Sequence, residues 1–390
     1  MSAATAGPDK LRIVILGLSI TSSWGNGHAT TYRALIKALC NRGHQVLFLE
    51  RETPWYRDHR DLPQPPFGVT RLYDSVGELH QRWSSALRNA DLVIVGSYVP
   101  DGIEVCEFVQ RQAGGLVAFY DIDTPVTLAA LADGSCEYLS ADLIPGFDLY
   151  LSFTGGPVLR QIEHEFGAPA ARVLYCGVDP DCHRPAPVAP SWDLGYLGTY
   201  SADRQPVLGR LMCSPARRWR EGRFAVAGSL YPSEIRWPGN LDRIEHIDPA
   251  GHATFYARQR FTLNVTRANM ICRGYSPSVR LFEAAACGTP IISDRWAGLD
   301  EILSPDREIL IANSADDVLR YLRDLTETQR LQLAHRARER ILTCHTAEHR
   351  AAALESYVDE ARQQRDNRSR SARDQNTIQL KPMTAGETPR

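Results

Sequence analysis

The chain has 390 residues, enough for two domains of ordinary size. Apolar residues make up 43% and charged residues 23%, as in folded globular proteins, so a largely disordered chain is excluded. The formal net charge of −2 argues against a dedicated nucleic-acid or membrane-surface binder, and we expect neither partner.

The nine cysteines are scattered, with no C-x-x-C pair and no clustered histidine partner. This pattern excludes a zinc ribbon or a dense disulfide scaffold and fits a reducing cytoplasm, where we expect the protein to act. No apolar run reaches the roughly 18–20 residues that a membrane helix requires, so no transmembrane segment is expected. We also expect no bound metal and no cofactor beyond a co-substrate.

Residues 1–10 are predicted to form a flexible tail, followed by a first domain over residues 11–178. Short apolar runs alternate with helical patterns in this region, as in parallel sheets covered on both faces. The predicted strands are 11–17, 45–50, 92–95, 116–120 and 149–152, and the clearest helices are 29–42, 102–113 and 156–165. This alternation predicts a doubly wound, Rossmann-like sheet.

Residues 179–192 contain four prolines and no apolar periodicity, which predicts a linker. The alternation then restarts in a second domain over residues 193–345. Its predicted strands are 193–198, 223–228, 261–265, 289–293 and 309–311, and its last helices are 315–325 and 327–342. A C-terminal helix at 346–364 and a disordered tail at 365–390 complete the chain. The predicted fold class is α/β, with two Rossmann-like domains and a ligand cleft between the carboxyl ends of their sheets.

The strongest functional signal is the segment GYSPSVRLFEAAACGTPIIS at residues 274–293. Ser276 is a helix N-cap candidate, Pro277 suits the first helical position, and Gly288 suits the position after the helix. The free backbone amides of Ser278 and Val279, together with the helix dipole, then form an anion site.

Helical spacing places Arg280 and Glu283 within about 40° of Ser276 on one face of this helix. The helix start can hold a diphosphate, and the Glu283 carboxylate, roughly 10 Å further along, can accept hydrogen bonds from the hydroxyls of an attached sugar. The alternative is that Arg280 and Glu283 form an ordinary surface ion pair.

Residues 280–293 (RLFEAAACGTPIIS), followed by WAGLDE at 296–301, resemble the donor-site helix of GT-B glycosyltransferases, and most of all the CgeB-like (spore maturation protein) branch. The similarity extends over residues 194–200, 235–238 and 264–267, so it covers the second half well and the first half only in layout. It implies a GT-B fold, a nucleotide-sugar donor on the second domain, and a Glu283 that holds ribose or sugar hydroxyls.

Tyr275 stands where many retaining members of that family carry the first glutamate of an E-x7-E motif. The stereochemical outcome therefore stays open, and Tyr275 either stacks on the donor or packs under its loop. The loop 199–204, which follows the first strand of the second domain, resembles the loop that supplies a basic residue to the donor diphosphate. Tyr200 and Arg204 are the donor-binding candidates there. Arg267 ends the strand 261–265 and joins them, with Arg273 as a weaker candidate.

In the first domain, Gly25, Asn26 and Gly27 lie in the loop after the first strand, where glycine allows close approach of a ligand. The corresponding GT-B loop faces the donor phosphates and the acceptor. His28 is a candidate general base, with a simple helix-start role as the alternative. Asp121 and Asp123 form a D-x-D pair at a strand end and are acceptor-side or base candidates, unless Asp123 only caps the next helix.

These residues predict a metal-independent glycosyltransferase that transfers a sugar from a nucleotide sugar to a glycan, protein or small-molecule acceptor. The helix start, Arg204 and Arg267 supply the positive potential that the departing diphosphate needs. Two alternatives stay open at this point. One is a nucleotide-sugar epimerase on the same fold, and the other is a non-catalytic surface-maturation protein with a vestigial nucleotide site.

Overall fold

The computed structural model describes residues 10–379 of the chain. Within that range two parallel sheets are present, and each belongs to one half of the chain. The first sheet contains β1 (Arg12–Gly17), β2 (Gln45–Arg51), β3 (Val69–Tyr73), β4 (Leu92–Gly96), β5 (Leu116–Asp121), β6 (Leu149–Ser152) and β7 (Ala171–Val173), in the order β3-β2-β1-β4-β5-β6-β7. The second contains β8 (Trp192–Leu197), β9 (Phe224–Ala227), β10 (Leu241–Ile244), β11 (Gln259–Asn264), β12 (Ile291–Ser293) and β13 (Leu310–Ile311), in the order β10-β9-β8-β11-β12-β13.

Helices connect the strands and cover both faces of each sheet. Those of the first half are α1 (His28–Asn41), α2 (Pro54–Arg57), α3 (Val76–Asn89), α4 (Gly102–Gln112), α5 (Thr124–Asp133) and α6 (Pro157–His164), with a short 3-10 turn at Ala141–Gly146. Those of the second are α7 (Gln205–Leu208), α8 (Ser214–Arg218), α9 (Pro249–Ala257), α10 (Ala268–Arg273), α11 (Val279–Ala286), α12 (Leu299–Ile302), α13 (Ala315–Asp324), α14 (Glu327–Cys344) and α15 (Ala347–Gln379), with a π-helical turn at Gly209–Cys213. Every helix in residues 10–379 is too short or too polar to cross a bilayer.

Strand β1 shows why continuous apolar runs mark the sheet centres. Ile13 and Ile15 point into one hydrophobic layer, whereas Val14 and Leu16 point into the layer on the opposite face. All four side chains are buried because helices pack on both faces of a parallel sheet. The apolar runs predicted as strands accordingly occupy the interior of the two sheets.

Three strands were missed by the sequence analysis, namely β3, β7 and β10, and all three lie at sheet edges. An edge strand packs against one neighbour and needs fewer apolar residues. The sequence of β3 is VTRLY with its first four residues only partly covered, β7 has three residues, and β10 reads LDRI. Their apolar content is too low for a pattern of buried runs to detect.

The C-terminal helix α15 returns to the first domain and packs against α1. Leu354, Val358 and Ala361 are buried in the core layer that also contains residues of β1 and α1. The Glu355 carboxylate accepts hydrogen bonds from Arg42 Nε at 2.7 Å and lies 2.7 Å from His44 Nε2. The first domain is therefore completed by the last helix of the chain.

Helix α15 continues to Gln379, where the sequence analysis predicted a disordered tail from residue 365. Residues 365–379 are rich in Arg, Gln and Asp and contain no periodic apolar residues, so the apolar pattern gives no helix signal there. Arg365 donates a hydrogen bond to the Gly115 carbonyl at 2.8 Å. The remainder of the predicted tail, 380–390, lies outside the described residues, as do residues 1–9 of the predicted N-terminal tail.

The segment between the domains is held at several points. Val178 N donates to the His345 carbonyl at 3.1 Å, and Ala347 N donates to the Val178 carbonyl at 2.8 Å, so the two interdomain crossings run side by side. Lys37 Nζ lies 2.8 Å from Asp179 Oδ2 and 2.6 Å from Asp181 Oδ2. The proline-rich segment is thus anchored to α1 and to the start of α15.

The packing of α15 predicts a measurable stability loss. Leu354→Ala removes a side chain that is 1% exposed in the first-domain core and should cost about 2–5 kcal/mol, because a cavity remains. Ser356→Ala, on the exposed side of the same helix, is the matched control. Urea unfolding followed by circular dichroism checks the difference. Equal midpoints for the two variants would show that α15 does not stabilise the domain.

Candidate functional site

A cleft of about 520 Å³ lies between the carboxyl ends of the two sheets. The first domain contributes the loops that follow β1, β4, β5 and β6. The second domain contributes the loops that follow β8, β9, β10 and β11, together with the start of α11. The cleft therefore lies where open α/β sheets bind their ligands.

Helix α11 begins at Val279 with Ser278 as its N-cap, two residues later than predicted. Ser276 is not the cap, because its hydroxyl lies 2.6 Å from Thr154 Oγ1 of the first domain and donates to the Gly274 carbonyl. Ser278 Oγ donates to Asn264 Oδ1 at 2.8 Å and makes no bond to the helix backbone. Within the described residues, the amides of Val279 and Arg280 consequently have no partner, and both residues line the cleft.

Arg280 fixes the position of this helix start. Its Nε donates to the Leu197 carbonyl at 2.6 Å, its Nη1 donates to Asn264 Oδ1 at 2.8 Å, and its guanidinium lies over the Tyr196 ring. Arg280 is 7% exposed, so the alternative of a surface pair with Glu283 is wrong. The guanidinium ties α11 to the carboxyl ends of β8 and β11.

Glu283 is 5% exposed and lines the cleft about one turn beyond the helix start at Val279. Tyr256 Oη donates to Glu283 Oε2 at 3.2 Å. His183 Nε2 lies 3.5 Å from Oε1, and His252 Nδ1 lies 3.4 Å from Oε2. Burial alone raises the pKa of Glu283, but the two histidines and the tyrosine outweigh it and lower the pKa to about 2. The carboxylate is ionised at neutral pH.

Arg204 and Arg267 both line the cleft with unused hydrogen-bond donors. Arg204 Nη2 donates to the Thr199 carbonyl at 2.6 Å, and Arg267 Nη1 lies 3.7 Å from Asp123 Oδ2 across the cleft. The Nε atom of each arginine is buried and has no partner among the described residues. Tyr200 lines the same wall, with its ring packed edge-on against Tyr231. This wall therefore offers charged donors to an anion.

His28 and Asp123 are brought together on the first-domain side. His28 Nε2 lies 3.9 Å from Asp123 Oδ2, and Tyr98 Oη donates to the same oxygen at 3.2 Å. Burial raises the pKa of Asp123, but His28, Arg267 and Tyr98 outweigh it and lower the pKa. Asp123 precedes α5 without capping it through its side chain, so the capping alternative is wrong.

Asp121, the other half of the D-x-D pair, does not line the cleft. It is fully buried beneath the strand end and accepts hydrogen bonds from Tyr150 Oη at 2.6 Å and Thr127 Oγ1 at 2.7 Å. Burial raises the pKa of Asp121 to about 6 despite these donors. The two aspartates therefore point to different environments and do not form a joint metal site.

The loop of Gly25, Asn26 and Gly27 lines the cleft as predicted from its place after β1. Asn26 Nδ2 donates to the carbonyls of Ser19 and Ser22, and its Oδ1 accepts from the His28 amide at 3.0 Å. Asn26 thus shapes the loop from inside. A Cβ at Gly25 or Gly27 would meet no atom within 4 Å, so the backbone of both residues is open to a ligand.

Tyr275 and Ser276, both predicted to bind the donor, lie in the contact between the domains and not in the cleft. The Tyr275 ring is sandwiched between Gly156 and Gly298, where an added Cβ would lie 2.5 Å and 2.4 Å from ring atoms. Gly155 N donates to the Tyr275 carbonyl, and Tyr275 has the rare positive φ of 52°. Of the two alternatives for Tyr275, the structure supports packing. Arg273 also lies outside the cleft and donates to Gln161 Oε1.

His183 and His252 were not predicted from the sequence. His183 belongs to the proline-rich segment and His252 to α9, so 69 residues separate them and neither forms a local motif with Glu283. Only the fold brings the three together. His252 follows the edge strand β10, and residues that follow strands of a parallel sheet tend to line the ligand cleft. This signal could not be used because β10 was not predicted from the sequence.

Residues 204–356 match the family model described as "Glycosyl transferase-like". None of the curated proteins matches the chain. Among solved structures, sucrose-phosphate synthase from Thermosynechococcus elongatus is similar, with a TM-score of 0.65, 14% identity and 90% of this chain and 98% of that chain covered.

Two further solved structures cover 90% of this chain and 100% of their own. Anabaena Alr3699/HepE in complex with UDP and glucose has a TM-score of 0.65 and 12% identity. An alpha-glucosyltransferase in complex with UDP-glucose and DNA containing an abasic site has a TM-score of 0.67 and 11% identity. At these identities the similarity shows the fold, which is GT-B.

The fold class predicted from the sequence is therefore confirmed: two Rossmann-like α/β domains face each other across a cleft. The match to the glycosyl transferase-like model lies in the second domain and reaches into α15.

The raised pKa of Asp121 predicts a pH-dependent stability. Because its folded pKa of about 6 exceeds the ordinary 3.8, its contribution is present below 3.8 and is lost as pH rises through 6. Asp121→Asn removes this titration. The melting temperature of wild type should therefore decrease more than that of the variant when the pH is raised from about 5 to about 7.5. Thermal unfolding at both pH values checks this, with the exposed Asp142→Asn as control. Parallel melting curves for wild type and Asp121→Asn would contradict the assignment.

Proposed function

We propose that this protein is a nucleotide-sugar-dependent glycosyltransferase that needs no metal on the donor diphosphate. The observation that carries the proposal is the set of unused donors on one wall of the cleft. The Nε atoms of Arg204 and Arg267 and the amides of Val279 and Arg280 lack partners within the described residues. Buried donors of this kind are costly unless a ligand completes them, and a diphosphate is an anion of suitable chemistry.

The donor lies with its diphosphate at the start of α11 and its hydroxyls toward Glu283. The ionised, buried Glu283 carboxylate lacks enough strong donors of its own, because its two histidines stand at 3.4 and 3.5 Å. Vicinal hydroxyls of a ribose or sugar supply short, charge-assisted hydrogen bonds to such a group. The UDP and UDP-glucose complexes named among the similar structures make a uridine nucleotide the first donor to test.

Transfer breaks the bond between the anomeric carbon and the diphosphate oxygen, whose electron pair stays on the diphosphate. The acceptor oxygen forms the new bond to that carbon, and its proton passes to His28. Asp123 stabilises the resulting imidazolium from 3.9 Å. Arg204, Arg267 and the start of α11 stabilise the negative charge that develops on the leaving diphosphate. In metal-dependent enzymes a bound cation stabilises this charge.

Two finer points belong to the same proposal. We propose that the chain belongs to the CgeB-like branch that its sequence resembles, and that its acceptor is a glycan, a protein or a small molecule. A cytoplasmic site of action fits nine cysteines that are all free thiols in the structure.

Calorimetric titration of UDP tests the diphosphate site. Arg267→Ala should weaken UDP binding by at least about tenfold, because a charge-assisted hydrogen bond to phosphate is worth about 1.5–3 kcal/mol. Arg323→Ala, which removes an exposed arginine of α13, should leave the affinity unchanged. Equal affinities for wild type and Arg267→Ala would refute the placement of the diphosphate.

Turnover tests the role of Glu283. Glu283→Ala should lower the release of UDP from UDP-glucose at least about tenfold while the circular dichroism spectrum stays native, because the acceptor of the donor hydroxyls is gone. Glu301→Gln, an exposed carboxylate of α12, is the control. Normal turnover by Glu283→Ala would show that Glu283 does not hold the donor hydroxyls. Sugar products formed from donor alone with changed configuration would indicate an epimerase.

A further inference from the structure

The three side chains around Glu283 form a buried cluster drawn from three separate parts of the fold. His183 comes from the segment that joins the domains, His252 from α9 and Glu283 from α11. One ligand atom of each side chain lies within 4.8 Å of the other two. Glu283 and His252 line the cleft, whereas His183 and Glu283 border a second cavity behind it. The cluster thus forms part of the wall between the two spaces.

The hydrogen bonds of this cluster are incomplete. Neither ring nitrogen of His183 has a partner among the described residues, although its side chain is only 7% exposed. His252 Nε2 lies 3.3 Å from the Ile247 carbonyl, and its Nδ1 has no hydrogen-bond partner. His252 Nδ1 and the Glu283 carboxylate lie 3.4 Å apart, so a proton on Nδ1 or a metal ion between them joins the two groups. The metal ion takes the place of that proton when Nε2 donates to the Ile247 carbonyl.

We infer that His183, His252 and Glu283 bind a divalent transition-metal ion of the Zn²⁺ type. Two imidazole nitrogens and one carboxylate are a common donor set for this ion, and a tetrahedral site with bonds of about 2.0–2.1 Å separates its ligand atoms by about 3.3 Å. His183 Nε2 lies 3.5 Å from Glu283 Oε1 and His252 Nδ1 lies 3.4 Å from Glu283 Oε2, so each imidazole is close to that spacing from a different oxygen of the carboxylate. Mg²⁺ and Ca²⁺ prefer all-oxygen sites and do not suit this set.

The contact between His252 and the Ile247 carbonyl has the form of a supporting interaction at a metal site. A ligating histidine usually donates its other N–H to a carbonyl or carboxylate, which fixes the ring orientation and the tautomer. His183 is held from its own backbone, because its amide donates to the Asp179 carbonyl at 2.9 Å. The His252 ring is therefore oriented by a side-chain contact, whereas His183 is fixed at its backbone.

The ion would tie the interdomain segment to the donor-binding half of the chain. Three protein ligands leave a fourth position of zinc open, and Glu283 and His252 give a cleft ligand access to it. The ion would share Glu283 with the proposed hydroxyl-binding position, so zinc and the donor hydroxyls would compete for this carboxylate, whereas the diphosphate position at the start of α11 is separate. The metal site does not depend on the proposed transferase activity, because its occupancy is measurable without a nucleotide.

Metal analysis of the purified full chain tests the inference. After removal of metals with a chelator, equilibration with Zn²⁺ and desalting, wild type should retain about one zinc per chain. Co²⁺ loaded in the same way should give the visible absorption bands of a tetrahedral nitrogen–oxygen site. His183→Gln and His252→Asn should each weaken zinc binding at least about tenfold, since even the loss of a supporting residue costs that much.

Two further variants separate metal ligation from simple structural damage. His183→Cys replaces one zinc ligand by another and should restore retention, whereas His246→Ala, a histidine next to Asp248 on another part of the cleft, should bind zinc like wild type. Circular dichroism of the metal-free forms checks that each variant is folded. Wild type without retained zinc, or variants that retain as much as wild type, would overturn the site. UDP binding by the same metal-free protein reports separately on the proposed function.

Discussion

The buried Arg280 guanidinium is the interaction on which the geometry of the cleft depends. It reaches from the first turn of α11 to the Leu197 carbonyl at the end of β8 and to Asn264 at the end of β11. Asn264 Oδ1 also accepts from Ser278 Oγ, so one amide oxygen fixes both the cap and the first turn of the helix. The carboxyl ends of the central strands β8 and β11 are thereby joined by hydrogen bonds to the helix that carries Glu283. Loss of this guanidinium would leave Asn264 and the Leu197 carbonyl buried without their charged donor.

The cleft has more hydrogen-bond donors than its own acceptors use. Asp123 faces Arg267, His28 and Tyr98, whereas Glu283 has a hydrogen bond from Tyr256 and two histidines at 3.4 and 3.5 Å, which leaves room for hydroxyl donors. The cationic side keeps unused donors on Arg204 and Arg267. An incoming diphosphate would therefore complete existing groups without displacing a strong internal partner, except at the 3.7 Å pair between Arg267 and Asp123. Arg267 faces both domains, so a ligand that engages it also changes the electrostatic surroundings of the acceptor-side carboxylate.

The sequence predicted the parts of this structure that depend on local chemistry. Central strands such as β1 are continuous apolar runs because both faces are covered, and loops that follow them line the cleft by topology. The carboxylate of Glu283 was found because helical spacing and a family motif agree on it. His28 and Asp123, which follow different strands of one sheet, were predicted separately, and the fold brings them together.

The errors share another cause, which is that long-range partners override local signals. Ser-Pro at 276–277 is a good helix start in isolation, yet the Thr154 hydroxyl of the other domain holds Ser276, and the helix begins at Val279. Tyr275 is a plausible stacking residue until Gly156 and Gly298 are seen to enclose its ring. The edge strands and the polar end of α15 contain too few apolar residues to give a periodic pattern. No spacing rule links His183 to His252.

The contacts between the domains determine which motions the cleft can make. The Tyr275 ring and the hydrogen bond between Ser276 and Thr154 lie beside the donor helix, while the paired crossings at Val178 and Ala347 lie where the chain passes twice between the halves. Arg267 and Asp123 face each other across the cleft from the two domains, whereas Arg280 and the strand ends that it contacts lie within the second domain. The segment that carries His183 begins at the same crossing. An ion held by His183, His252 and Glu283 would therefore resist movement of the segment relative to α11, so the metal content and the freedom of the cleft to open are physically linked.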